Sequence, residues 1–256
     1  MSLTAITRKI SPNINACELT HVSRDPIDVE AARAQHEAYE TLLTRLGCRV
    51  RSLPAEPDLP DSVFVEDTAV VLDEAAVITR PGAGTRRLET DSIARALQED
   101  RELLCIEEPG TLDGGDVLLI DKTLFVGLSS RSNASGIEQL REFLAPFGYR
   151  VLEAKVNGCL HLKTAATLCA PDTVLMNPEW LDPHLFGAMR IIEVDPREPF
   201  AANVLLVNQT VVAASSFPRT RQRLEEAGLF VAALDLSELA KAEGAVTCCS
   251  LVYREK

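Results

Sequence analysis

A cysteine, a histidine and several carboxylates occur at similar places in this sequence, each shortly before an apolar segment. They are Cys248, His161, Asp113 and the adjacent pair Glu66 and Asp67. A cysteine beside a histidine supplies a nucleophilic thiolate and a group that transfers protons. Two or more carboxylates facing that pair suit a planar cation that donates hydrogen bonds, and guanidinium is the obvious candidate. The residues therefore predict attack of a thiolate on a guanidinium carbon.

The expected order of events follows from the chemistry of that group. The guanidinium carbon is a poor electrophile because its charge is delocalised, so paired carboxylates must hold it while the Cys248 thiolate attacks. His161 then protonates the leaving amine, and a covalent amidino-thioether (thiouronium) intermediate remains on the sulfur. His161 next activates the water that releases the product.

Cys248 has a second cysteine, Cys249, directly after it. The apolar and β-branched composition of residues 244–251 predicts a short strand, on which neighbouring side chains point to opposite faces. We therefore expect Cys248 to face an open site and Cys249 to be packed away. A basic or electropositive partner that lowers its pKa would make Cys248 a nucleophile.

The bulk properties restrict the classes of partner. The 256 residues carry a formal charge of -12, which argues against nucleic acid and anionic membranes as partners. No apolar run approaches the roughly 20 residues that span a bilayer, and the first residues lack the features of a signal peptide. Seven cysteines without a CxxC pair favour reduced thiols in a cytoplasmic enzyme. Cys159, His161 and Cys248 could bind zinc, but we expect this as an inhibitory side reaction and not as a working metal site.

One pattern occurs four times along the chain: two short apolar runs joined by a tight turn, then a helical segment, then another strand. The paired runs are 68–72 with 75–79, 116–120 with 123–126, 165–169 with 173–176, and 203–207 with 210–213. The helical segments are 87–99, 134–147, 180–188 and 218–227, and the closing strands are 103–106, 150–153, 190–193 and 230–233. The repeated unit is ββαβ.

The N-terminal part resembles one such unit without its first strand, since it offers a strand at 5–7, a helix at 27–46 and a strand at 48–53. The strand predicted around Cys248 could supply the missing element. The economical prediction is a single α/β domain, 1–256, in which five ββαβ units form a ring closed by the two ends of the chain. An open doubly wound sheet is the rival, but its parallel strands need long crossovers instead of repeated tight hairpins. In a ring, residues just before the first strands converge on the axis, so the chemical groups named above should meet.

Six segments together resemble the dimethylarginine dimethylaminohydrolases, which belong to the guanidine-modifying, amidinotransferase-like superfamily. The segments are 59–67, 78–83 followed by Arg86 and Arg87, 113–116, 126–133, 160–163 and 247–250. The resemblance covers nearly the whole chain in order. It implies a five-bladed α/β propeller, or pentein, which matches the repeat count. It also implies hydrolysis of asymmetric dimethylarginine or monomethylarginine to citrulline and an alkylamine without a cofactor, by proteins found as monomers and homodimers.

The resemblance also implies roles for individual residues. Cys248 matches the nucleophile, His161 the general acid and base, and Asp113 the acidic partner. The matched substrate-binding positions are Asp67 with Glu66 for the guanidinium, Arg86 and Arg131 for the α-carboxylate, Asp61 for the α-amino group, and Leu19, whose lid-loop backbone contacts that group. Ala242 stands near the active cysteine where relatives have valine or isoleucine, and Glu243 replaces the more usual aspartate. These two differences affect the amine pocket and not the class of reaction.

Related activities use the same set of residues. Arginine, agmatine and peptidyl-arginine deiminases hydrolyse related guanidines, but deiminases of free arginine usually carry an extra helical domain for which this chain has no room. An amidinotransferase would use an acceptor amine in place of water, and the sequence does not exclude it. A non-catalytic propeller that binds ribosomes would have no need for Cys248, His161 and the carboxylates. The sequence therefore favours a hydrolase.

Overall fold

The strands of the computed structural model, which describes residues 2–255, are three to six residues long. They are β1 Leu3–Arg8, β2 Cys48–Leu53, β3 Ala69–Val71, β4 Ala75–Ile78, β5 Glu102–Cys105, β6 Val117–Ile120, β7 Thr123–Leu128, β8 Arg150–Lys155, β9 Ala166–Ala170, β10 Thr173–Met176, β11 Arg190–Glu193, β12 Leu205–Val207, β13 Thr210–Ala214, β14 Phe230–Leu234 and β15 Leu251–Arg254. The helices are α1 Val29–Arg45, α2 Thr90–Leu97, α3 Ala134–Leu144, α4 Leu162–Ala165, α5 Pro218–Glu226 and α6 Ser237–Ala240.

Within the described residues these strands form five three-stranded sheets of one topology. In each sheet the middle strand pairs antiparallel with one neighbour and parallel with the other; β4, for example, is antiparallel to β3 and parallel to β5. The α/β class is thereby confirmed, and so is the repeated order of strands, a hairpin followed by a third strand parallel to the middle one. The alternative of one open, doubly wound sheet is wrong, because the strands form separate sheets of three strands, each containing a short hairpin.

The fifth sheet joins distant parts of the chain. Strand β1 pairs antiparallel with β15, with Ile6 opposite Leu251, and parallel with β2, with Ala5 opposite Val50. The predicted pairing of the N-terminal and C-terminal segments is thus confirmed. The segment that carries the two cysteines is fixed only when residues from both segments are in place.

Two local predictions are wrong. Residues 244–251 are not one strand: Thr247–Cys249 is a 3-10 turn and β15 starts at Leu251. The backbone N–H of Thr247 donates to the Asn203 side chain at 2.9 Å instead of a strand partner. The segment 180–188 forms only a 3-10 turn, Pro183–Phe186. Gly187 ends it after one turn, with a φ of 59° that leaves the right-handed helical region.

Helix α1 supports the cysteine segment from behind. It begins after Asp28, whose carboxylate accepts two backbone N–H groups of the first turn, and the chain leaves it at Gly47, whose φ is 95°. On its buried face, the Tyr39 hydroxyl donates to the Val246 carbonyl at 3.0 Å and lies 2.7 Å from Ser250 Oγ. The side chain of Tyr39 is fully buried. The turn that carries Cys248 is therefore held by a helix more than two hundred residues away in sequence.

The core is apolar at the periphery and polar at the centre. Five separate apolar clusters lie between the sheets and helices, and one of them joins Ile6 of β1, Ile78 of β4 and Leu251 of β15. By contrast, Asp113 and Asp116 at the start of β6 are completely buried. Burial of charge is costly without partners, so the centre must be rich in hydrogen bonds. Across residues 2–255, no helix has the length and apolar character needed to cross a membrane.

The segments just before the first strands of the five sheets are joined in a closed hydrogen-bond loop. Each segment is bonded to the next, and the last is bonded to the first. The bonds run from Gly115 N–H to Asp67 (3.0 Å), from Leu162 N–H to Asp116 (2.9 Å), from the Asn203 amide to the Lys163 carbonyl (3.2 Å), from Thr247 N–H to Asn203 (2.9 Å) and from the Thr247 hydroxyl to Glu66 (2.6 Å). Residues predicted to converge from sequence therefore do so.

Gly114 tests how tightly these segments are packed. A Cβ atom at this glycine would stand 2.0 Å from the carbonyl oxygen of Glu66, which is backbone and has little room to move. We expect Gly114→Ala to lower the free energy of unfolding by about 3 kcal/mol. Gly84→Ala is the matched control, because no atom lies within 4 Å of a Cβ placed there. Urea unfolding of both variants would measure this, and equal stabilities would contradict the packing described.

Candidate active site

A small polar cavity of about 20 Å³ lies where the converging segments meet. Seven of the ten residues predicted for the site line it: Asp61, Asp67, Arg86, Arg131, His161, Ala242 and Cys248. Asp113 lies behind His161 and contacts it directly. Glu66 and Leu19 do not line this cavity. The structure thus brings together a thiol, an imidazole, carboxylates and two arginines from distant parts of the chain.

The two adjacent cysteines have different surroundings, as expected. Cys248 is partly exposed and lines the cavity, whereas Cys249 is completely buried among apolar side chains. The Sγ atom of Cys249 lies 3.6 Å from the carbonyl oxygen of Ala245. The 3-10 turn separates the two side chains in the same way as a strand would.

The thiol of Cys248 is not activated by its surroundings in the protein alone. Burial, followed by the negative charges of Glu66 and Asp67, raises the pKa of Cys248 well above its ordinary value. Among the described residues, no neighbouring cation outweighs burial and these two charges. The cavity holds a neutral thiol near carboxylates, an arrangement in which a bound cation would favour the thiolate.

His161 stands directly before α4, with its ring between two carboxylates. Nε2 lies 3.1 Å from Asp113 Oδ2, and Nδ1 lies 3.9 Å from Asp67 Oδ1. Burial favours the neutral ring, but the charges of Asp67, Asp113 and Asp116 outweigh it and raise the pKa of His161 to about 9. At neutral pH the imidazole is therefore protonated and can act as an acid.

Asp116 is a buried residue for which the sequence suggested no role. Its Oδ1 accepts the N–H of Leu162 at 2.9 Å, and its Oδ2 accepts the hydroxyls of Ser129 and Ser132 at 2.6 and 2.7 Å. Burial raises the pKa of Asp116 to about 6. Asp116 therefore fixes the backbone next to His161. The available signal was its place in the run Asp-Gly-Gly-Asp that starts at Asp113.

Arg86 is engaged by acidic side chains of the protein itself. Its Nη1 lies 2.6 Å from Asp67 Oδ2, and its Nη2 lies 2.8 Å from Glu89 Oε2. Burial opposes ionisation of Asp67, but the charges of His161 and Arg86 lower its pKa to about 2. The carboxylate predicted to hold a guanidinium is thus ionised and already pairs with one. The ion pair between Glu89 and Arg86 was not predicted, because the sequence around Glu89 is typical of a solvent-exposed helix position.

The remaining predicted residues lie at the edges of the cavity. Glu66 accepts Lys163 Nζ at 2.7 Å and the Thr247 hydroxyl, so both its oxygens face the closed hydrogen-bond loop. Leu19 is half-buried against the apolar core. Its neighbour Glu18 lines the cavity and donates its backbone N–H to both oxygens of Asp61, at 3.2 and 3.1 Å.

Loop 18–22 is also fastened over the cavity by Arg131 and Glu243. Arg131 Nη2 donates to the Thr20 hydroxyl at 3.1 Å. The carboxylate of Glu243 accepts the backbone N–H groups of Thr20, His21 and Val22. Glu243 itself has a φ of 57°, a left-handed conformation that is uncommon outside glycine. Three backbone bonds to one carboxylate make Glu243 the main anchor of this loop.

Asp67, Asp113 and His161 are also the group best placed to hold a cation. One potential ligand atom from each lies within 4.8 Å of the others, and all three residues are buried. Their oxygens already accept protein donors, however, since Asp67 is bonded to Gly115 and Arg86 and Asp113 accepts the Gly82 N–H at 2.9 Å. The donor set fits a hydrogen-bonding organic cation better than a bare metal ion.

A second cavity of about 220 Å³ adjoins the first at His161 and Cys248. Its other walls carry few charged groups, and its main apolar side chains are Val22, Phe200, Phe217 and Leu236. The reacting pair therefore lies between a small, charged cavity and a larger, mainly apolar one. No pattern in the sequence indicated this second cavity.

Comparison with known proteins identifies related chains. The family model described as N,N dimethylarginine dimethylhydrolase, eukaryotic, matches residues 9–252. The chain is 41% identical over 256 residues to an N(G),N(G)-dimethylarginine dimethylaminohydrolase of Streptomyces coelicolor, covering 98% of this chain and 97% of that protein. It is 35% identical over 228 residues to the protein of that name from Pseudomonas aeruginosa, covering 88% and 90%. A solved structure of a cysteine-to-serine mutant of the P. aeruginosa protein, complexed with citrulline, matches with a TM-score of 0.94 at 32% identity over 99% of this chain and 100% of that one.

Proposed function

Because the chain belongs to the dimethylarginine dimethylaminohydrolase family, we propose that it hydrolyses a guanidino C–N bond of N-methylated arginines. The products are citrulline and dimethylamine or methylamine. The observation that carries the proposal is the meeting of Cys248, His161 and Asp67 at one cavity. The substrate is a small molecule, and the reaction uses the protein's own side chains without a cofactor.

We propose that the five sheets are the blades of one propeller that spans 1–256. The closed hydrogen-bond loop supports this, because it joins five equivalent segments in sequential order. Contacts between β15 and β3, β6 and β9, and β9 and β12 also support it, because they join three of the five pairs of neighbouring first strands that a propeller requires. The pairing of β1 with β15 would close the propeller.

The protonation states in the cavity suggest how the reaction starts. The substrate guanidinium enters near Asp67 and Glu66, whose charges, after burial, raise the pKa of the Cys248 thiol and keep it neutral. Its positive charge offsets theirs, so the pKa of the thiol falls and its proton leaves to solvent. The Cys248 thiolate then attacks the guanidinium carbon, forming a C–S bond and a tetrahedral intermediate.

His161 carries the proton in each later step. As an imidazolium, it protonates the substituted nitrogen, and the C–N bond breaks to release the amine and leave a thiouronium. The neutral imidazole then takes a proton from water, and the hydroxide attacks the same carbon. The C–S bond breaks as the C=O bond of citrulline forms, and the hydroxyl proton passes to the departing sulfur, so that the neutral Cys248 thiol returns. Asp113 and Asp67 favour the protonated ring throughout, because both face it.

The amino-acid end of the substrate would lie at the arginine side of the cavity. Arg131 and Asp61 suit an α-carboxylate and an α-ammonium group, respectively. Among residues 2–255, Arg86 Nη1 contacts only Asp67. Its second N–H can therefore donate to the carboxylate without breaking that pair. The backbone of Leu19 would contact the ammonium group, Ala242 would border the amine, and Glu66 would act through its charge.

Product analysis tests the proposal. Purified protein with asymmetric dimethylarginine should release citrulline and dimethylamine in equal amounts, and monomethylarginine should give citrulline and methylamine. A faster reaction with unsubstituted arginine would favour the deiminase alternative. Transfer of the amidino group to an added primary amine, without citrulline, would favour an amidinotransferase. No product from any guanidine would favour a non-catalytic protein.

A further inference from the structure

The second, larger cavity shares only a few walls with the first, and these include the reacting residues. His161, Cys248, Leu160, Glu243 and Gly244 line both cavities. Asp61, Asp67, Arg86 and Arg131 line the first cavity alone. A substrate with its α-carboxylate and α-ammonium groups at Arg131 and Asp61 and its guanidinium beside Asp67 therefore has its reacting carbon at the boundary, next to Cys248. A substituent on the guanidinium nitrogen beyond that carbon then enters the second cavity.

The chemistry of the second cavity suits an uncharged, apolar group. Phe200, Phe217, Leu236 and Val22 provide most of its large side chains, and Phe200 is 45% exposed, which is unusual for a phenylalanine. The carboxylate of Glu243 is not free to bind a ligand, because it already accepts three backbone N–H groups of loop 18–22. Apart from the histidines His21 and His161, Glu243 is the one charged side chain among these walls.

The polar atoms of the Asn203 side chain are also hydrogen-bonded within the protein. Its oxygen accepts the Thr247 N–H, and its nitrogen donates to the Thr247 hydroxyl at 3.0 Å and to the Lys163 carbonyl. Asn203 lines the cavity, but its polar atoms are already hydrogen-bonded and do not provide a binding site for a polar ligand group. The remaining surface is apolar enough to bind hydrocarbon by removing it from water.

The size of the cavity exceeds what methylated substrates need. A dimethylamino group has three non-hydrogen atoms, which take roughly 90 Å³ at about 30 Å³ for each water-sized group. The cavity measures about 220 Å³. Space remains for several more carbon atoms next to the bond that is cleaved.

We propose that this cavity is a subsite for apolar N-substituents larger than methyl, so that the protein also hydrolyses N-alkylated guanidino acids with propyl or butyl groups. The inference rests on the proposed function, because it needs the reaction at Cys248 and His161. The same bonds form and break as with methylated arginines. The leaving group is then propylamine or butylamine, protonated by His161.

The test compares Nω-methyl-, Nω-propyl- and Nω-butyl-L-arginine as substrates. Citrulline formation is expected from all three, with a KM for the butyl substrate about tenfold below that for the methyl substrate, because added methylene groups are buried. Failure with the butyl substrate while the methyl substrate reacts would overturn the subsite and leave the proposed function intact. Failure with every methylated arginine would overturn the proposed function, and the subsite with it.

Two variants that fill the second cavity test whether the N-alkyl group of the substrate binds there. Ala240→Phe and Ser216→Phe each place a ring at an exposed position on the cavity wall, so neither demands repacking of the core. Each should raise the KM of the butyl substrate at least about tenfold and change that of the methyl substrate less than about twofold. Ala188→Phe is the matched control, since Ala188 is exposed and lies outside both cavities. If both filling variants treat the two substrates as the wild type does, the substituent lies elsewhere and the proposal is wrong.

Discussion

Replacement of Cys248 by serine is expected to lower citrulline formation from dimethylarginine by roughly 10⁴-fold or more, because a hydroxyl is a far weaker nucleophile at neutral pH. The fold should survive the change, since Cys248 is partly exposed at the cavity and its replacement is nearly the same size. Steady-state assays with matched circular dichroism spectra would measure both effects.

Cys249→Ser is the matched control, one residue away and chemically identical. Cys249 is completely buried, so a hydroxyl there should cost about 1–2 kcal/mol of unfolding free energy while the folded protein keeps its activity. An active Cys248→Ser variant, or an inactive but folded Cys249→Ser variant, would refute the assignment of the nucleophile.

Alkylation of Cys248 is expected to depend strongly on the charge of the reagent. Iodoacetamide is neutral and reacts with the thiolate, which is scarce because burial and the charges of Glu66 and Asp67 raise the pKa of Cys248. The reaction should be slow at neutral pH and accelerate as the pH rises. Chloroacetamidine is a planar cation of guanidinium shape, so it offsets those charges and should react at least about 100-fold faster at neutral pH.

Mass spectrometry of peptides would report the rate at each cysteine. Cys105 is exposed and lines neither cavity, so it provides an internal reference for an ordinary thiol. Asp67→Asn should narrow the difference between the two reagents, because one of the charges that raises the thiol pKa is removed. If iodoacetamide labels Cys248 faster than Cys105 at neutral pH, the thiol is already activated and the proposed first step is wrong.

The repeated architecture was predictable because its signals are local. Apolar runs separated by two polar residues form hairpins wherever they occur, and the strands Cys48–Leu53 and Arg190–Glu193 begin where the sequence indicated. The turn Thr247–Cys249 was not predictable in this way. Its shape depends on bonds to Asn203 and Glu66, which are distant in sequence.

The site residues likewise divide into those that the sequence pattern revealed and those whose role depends on the folded structure. Cys248, His161 and Asp67 could be found because thiol, imidazole and carboxylate occur at equivalent places in successive repeats. Glu89 could not, because an acidic residue on a helix usually faces solvent, and the resemblance pointed to Glu243 only as a difference in the amine pocket and not as the anchor of loop 18–22. Burial beside Arg86 and the capture of three backbone N–H groups are properties of the folded chain alone.

The pairing of β1 with β15 has a consequence for biosynthesis. Strand β1 leaves the ribosome early and can pair with β2 on one side, but its other edge stays open until Leu251–Arg254 has been made. The turn with Cys248 comes only just before that strand. A nascent or prematurely released chain therefore has no assembled nucleophile and also exposes an unpaired strand edge, a feature that favours aggregation. Reactive chemistry thus becomes available only after Leu251–Arg254 has been made and has paired with β1.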